Sequence, residues 1–109
     1  MTYHVQKMTG IVDGQYGDAI AISVLDEDGN AADLSAYTVV ILRAISEDNQ
    51  TTRQITGALV SASGGTLTVT PDTATYFNSA GDWDSQLQFS DTGKLALTVP
   101  FIIEVSKQI

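Results

Sequence analysis

Residues 80–89 read Ala-Gly-Asp-Trp-Asp-Ser-Gln-Leu-Gln-Phe. Trp83, Leu87 and Phe89 fall on one parity, and Asp82, Asp84, Gln86 and Gln88 fall on the other. Side chains of a strand alternate between its faces, so this period of two is the mark of a half-buried β-strand rather than a helix.

The same period governs the sequence on both sides of this stretch. Ser90-Asp91-Thr92-Gly93 supplies a turn, after which Leu95, Leu97, Val99, Phe101, Ile103 and Val105 share one parity. A straight strand over Lys94–Val105 would span nearly 40 Å at about 3.3 Å per residue, too long for a small domain, so a bend or bulge is expected at Pro100. Upstream, Leu67 and Val69 of Thr66–Thr70 point inward, with Ser63-Gly64-Gly65 as the hairpin turn from Ala58–Ala62. Pro71 ends that strand, and Asp72–Phe77 is expected to form one capped helical turn.

Nearer the N-terminus, Ile20, Ile22 and Val24 alternate within Asp18–Leu25, which stops at the turn Asp26-Glu27-Asp28-Gly29-Asn30. A second turn is expected at Asp33-Leu34-Ser35. Thr38–Ser46 differs from the other runs in being apolar on both parities. Val40, Leu42 and Ala44 share one face, and Val39, Ile41 and Ile45 share the other. Such a strand is either covered on its outer side by another segment or meets a neighbouring chain there, which makes Val39, Ile41 and Ile45 the candidate interface residues. Thr51–Ile55 reads as its short return strand at a sheet edge, after the polar loop Glu47–Gln50.

These runs give about seven strands, and the expected fold is all-β, an immunoglobulin-like antiparallel β-sandwich comprising residues 1–109 as one domain. Tyr3 to Val12 holds no single parity, so residues 1–12 are left as an extended arm or an extra strand.

Composition narrows the function classes. With no cysteine there can be neither a disulfide framework nor a thiolate metal site. The formal charge of −8 repels phosphates and anionic headgroups, so neither nucleic acid nor membrane is an expected partner. Met1–Val12 lacks the apolar core of a signal peptide, and no apolar run is long enough to span a bilayer.

Single residues with chemical potential read as structural. His4 is the only histidine and has no Gly-x-Ser-x-Gly nucleophile motif to serve. Asp26, Glu27, Asp28, Asn30 and Asp33 cluster oxygens, but glycine falls at the fourth rather than the sixth position and no terminal Glu completes a calcium loop. Asp82 and Asp84 flank Trp83 from the opposite face, which argues for a tryptophan buried between sheets rather than a glycosidase pair. No cofactor is expected, and no enzyme activity.

The order of these features is also familiar. Gly17-Asp18, Leu25-Asp26-Glu27-Asp28-Gly29-Asn30, Asp33–Val39, Gly65–Val69, Ala80-Gly81-Asp82-Trp83 and Thr98–Val105 together resemble the N-terminal immunoglobulin-like domain of phage baseplate upper proteins. The resemblance implies a non-enzymatic structural component of a virion, assembled in the host cytoplasm. It would anchor or space parts of the tail or baseplate through protein partners and symmetric homo-oligomers, without a cofactor. Members of that family usually continue into further domains, which leaves open whether this chain is a fragment or a stand-alone component. The alternative is a carbohydrate or cell-surface binding sandwich using Tyr16, Tyr37 and Tyr76 at strand ends and loops.

Overall fold

The computed structural model describes residues 2–71 and 76–107. Among them all regular structure is strand: β1 (Met8–Val12), β2 (Ile20–Ser23), β3 (Val39–Ile45), β4 (Thr52–Thr56), β5 (Ala58–Ser61), β6 (Thr66–Val69), β7 (Gly81–Asp91), β8 (Lys94–Leu97) and β9 (Phe101–Ser106). One sheet runs β1-β9-β7-β3-β4, with β8 also paired to β7, and the other runs β2-β6-β5. Their inner faces meet in a core that includes Ile22, Val40, Leu42, Leu67, Val69, Leu87 and Phe89. The immunoglobulin-like sandwich expected from alternation is therefore present.

Among the described residues nine strands replace the expected seven, for two reasons. The N-terminal segment contributes β1, which pairs parallel to β9, the only parallel pairing of strands among the described residues. Before reaching β9 this segment touches both sheets, through the bridge His4·Leu25 on one side and Tyr3·Thr98 on the other. The register of its pairing with β9 also shifts between Met8 and Ile11, which breaks a single parity. Tyr3 is buried, with its ring edge-on to Phe89 at 5.9 Å. Burial, reinforced by a hydrogen bond with Tyr37, raises the pKa of its hydroxyl.

The second reason is the break at Pro100. β8 ends at Leu97 and β9 begins at Phe101, so two collinear strands lie along one side of β7. The backbone between them stays satisfied: Thr98 Oγ1 accepts from Leu87 N at 3.1 Å, and Gln86 Nε2 donates to the Thr98 carbonyl at 2.9 Å.

β4 is an edge strand, as expected, and the chain leaves it through Gly57 to enter the other sheet as β5. The β5–β6 turn ends at Gly65, whose φ of +69° and close approach to the carbonyls of Val24 and Ala32 leave no room for a Cβ. Asp33-Leu34-Ser35 is a turn that buries Leu34, with Asp33 Oδ1 accepting from Ser35 N and Oγ. The helical turn expected over Asp72–Phe77 lies mostly outside the described residues. Phe77 itself is buried and packs edge-on against Trp83 at 5.3 Å.

Candidate interaction surface

β3 holds the centre of the surface. Val40, Leu42 and Ala44 are buried between the sheets, which by alternation turns Val39, Ile41, Arg43 and Ile45 outward. Of the two readings of this strand, cover of its outer face by another segment is not found among the described residues. Val39 is 42% and Ile45 38% exposed, and Ile41 is half-buried only by its neighbours in the sheet.

The register extends the apolar character sideways. Val39 pairs with Ser90, which pairs on its far side with Leu95, and Ile41 pairs with Gln88, which pairs with Leu97. Paired residues share a face, so Leu95 and Leu97 stand on the same outer surface as Val39 and Ile41. They are 63% and 49% exposed, and Val99 beyond them is 42% exposed. At the other end Ile45 pairs with Asp84, and Asp84 with Ile102.

Leu95, Leu97 and Val99 were legible in sequence only as inward residues, because they share parity with Phe101, Ile103 and Val105. The irregularity at 98–100 reverses the alternation, so Thr98 is buried and Val99 is not, while Phe101 onward returns to the core. The signal that could have found them was the proline itself.

Between Arg43, Ile45, Thr52, Asp84, Gln86 and Pro100 this face carries a shallow groove of about 360 Å³. Arg43 and Asp84 are its only charges. An ion pair lies elsewhere, between Lys7 Nζ and Glu104 Oε2 at 3.0 Å. That hydrogen bond raises the Lys7 pKa, with help from Asp82. A second hollow of about 430 Å³ lies where the N-terminal segment departs from β2, lined by Val5, Lys7, Met8, Ala21, Ser23 and Leu25.

The other candidate residues stay in structural roles. Trp83 is buried and donates Nε1–H to the Ser79 carbonyl at 3.0 Å, while Asp82 and Asp84 are exposed on the opposite face. Asp26 Oδ1 accepts from the N–H groups of Asp28 and Asn30, closing its own turn. Among the described residues no three His, Asp or Glu side chains are grouped to hold a metal ion. His4 pairs through its backbone with Leu25. Of the three loop tyrosines only Tyr16 is largely exposed, since Tyr37 and Tyr76 pack against the core. No known family model matches the chain, and no curated protein matches it.

Proposed function

We propose that this chain is a non-enzymatic protein-contact module, a structural component of a phage tail or baseplate. The observation that carries the contact reading is the outer face of β3, β7 and β8. Isolated exposed apolar residues are ordinary, but neighbouring ones in one pairing register make a patch of the kind that marks interaction sites. The assignment to a virion rests on the resemblance of Gly17–Val105 to the baseplate domain, with which a contact surface agrees.

The test is co-expression with the products of adjacent genes, followed by purification of complexes with wild-type protein and with Ile41→Asp. A tail or baseplate protein should co-purify with the wild type and be lost with the variant, whose melting temperature should stay close to wild type. Retention of the partner by Ile41→Asp would overturn the contact surface. A neighbourhood of metabolic genes would overturn the virion assignment.

A further inference from the structure

The geometry points to a second copy of this chain as an occupant of the outer face, in a two-fold, face-to-face pairing that joins each Arg43 to the other copy's Asp84. The inference rests on the reading of this face as a protein contact and names what seats there.

Two observations select the copy, and a third sets the strength of the pairing. The first is self-complementarity. Arg43 pairs in register with Gln86, so Asp84 lies one strand across and two residues along, roughly 8 Å away at a strand spacing of about 4.8 Å and a rise of about 3.3 Å. Among the described residues neither is ion-paired within its own chain. A two-fold axis in the interface plane, crossing the line between them at its midpoint and at right angles, lays each Arg43 over the opposite Asp84. One contact type is thereby made twice, as an isologous interface requires.

The second observation is what the same rotation does to the remaining residues. On the ladder register it brings Ile41 over the copy's Ile102 and Ile45 close to its own counterpart. The acidic end of the face, Asp82 and Glu104, comes over the uncharged Gln54 and Thr56. Two chains of net charge −8 can therefore meet here without placing acid on acid. The strands of the two copies cross at roughly 70°, in the orthogonal rather than the aligned class of sheet packing.

The third is size, which sets the strength. Four strands across make a strip roughly 19 Å wide, and two such strips crossing at roughly 70° share roughly 380 Å² per copy. That is about half the roughly 800 Å² per partner of standard interfaces, so the pairing is weak. It is centred on Arg43, Ile45 and Asp84, and leaves Leu95 and Leu97 outside it.

The experiment is sedimentation velocity of wild type, Arg43→Asp and Asp84→Arg, each alone and the two variants mixed, from about 10 μM to about 1 mM, with melting temperature as the folding control. Wild type should form a dimer. Each single reversal sets like charges together twice, and should weaken association at least about tenfold. The mixture should restore a dimer containing one of each variant, resolved by native mass spectrometry. A wild-type monomer throughout the range, or a mixture that stays monomeric, would overturn the pairing. If the wild type is monomeric but Ile41→Asp still loses a co-expressed partner, only the self-pairing fails. A dimer indifferent to both Ile41→Asp and the charge reversals overturns this pairing, and partner binding equally indifferent to Ile41→Asp overturns the contact reading with it.

Discussion

Ser46 shows how one buried hydroxyl organises a turn. Its N–H donates to the Thr51 carbonyl at 2.8 Å, its Oγ donates to Asp48 Oδ1 at 2.6 Å and accepts from Thr51 N at 3.0 Å. Replacing it by alanine leaves the Thr51 N–H short of an acceptor, and Ser46→Ala should lower stability by about 1–2 kcal/mol in urea titrations. The Ser46 hydroxyl, followed by the Gln50 N–H, also holds the Asp48 carboxyl below its usual value of 3.8. A depressed carboxyl stabilises fully above its unfolded value, and that contribution fades as pH falls through the lower folded one. Ser46→Ala should therefore lose less stability than wild type between pH 4 and 2, roughly. Equal slopes would show that Asp48 is not bound to Ser46 in solution. Gly57 is constrained differently: a Cβ there would lie 2.8 Å from the Thr68 carbonyl and 3.1 Å from Val40 Cγ1. Gly57→Ala should cost about 1–3 kcal/mol by overpacking where the chain passes between sheets, measured as a lowered urea midpoint.

At the level of elements, alternation carried the reading wherever a strand keeps one register from end to end. β7 is the clearest case, with Trp83, Leu87 and Phe89 buried as their parity requires. The reading stopped at places where pairing, not pattern, decides. Nothing in Met8–Val12 announces a parallel partner some ninety residues away, since parallel addition at an edge leaves no periodic trace of its own. Parity also cannot say which side is inward after an irregularity, so β8 was read with the wrong face. The candidate interface was half legible: Val39, Ile41 and Ile45 stand out from β3 alone, whereas Leu95 and Leu97 join them only through the ladder to β7. Because β8 presents these leucines to solvent, Leu97→Lys should leave thermal stability, read as the melting temperature, within about 0.5 kcal/mol. A large loss of stability would mean that Leu97 packs inward.

For the molecule as a whole, the charge of −8 sets the conditions under which copies meet. Long-range repulsion extends about 30 Å at 10 mM salt and about 8 Å at 150 mM, so association should tighten across that range even though the two Arg43–Asp84 contacts are themselves screened. Weakening with salt, in sedimentation equilibrium, would mark an interface driven by charge attraction. The parallel pairing of β1 with β9 has another consequence, one of timing. Residues 8–12 are made some ninety residues ahead of their partner strand, 101–106, and β7, which finds β3 already made, must wait for β9. On the ribosome the larger sheet cannot close until Ser106 has cleared the exit tunnel. A fold so dominated by distant pairings belongs among those that form in milliseconds to seconds. Until then the apolar strands of this domain are exposed to the rest of the cell.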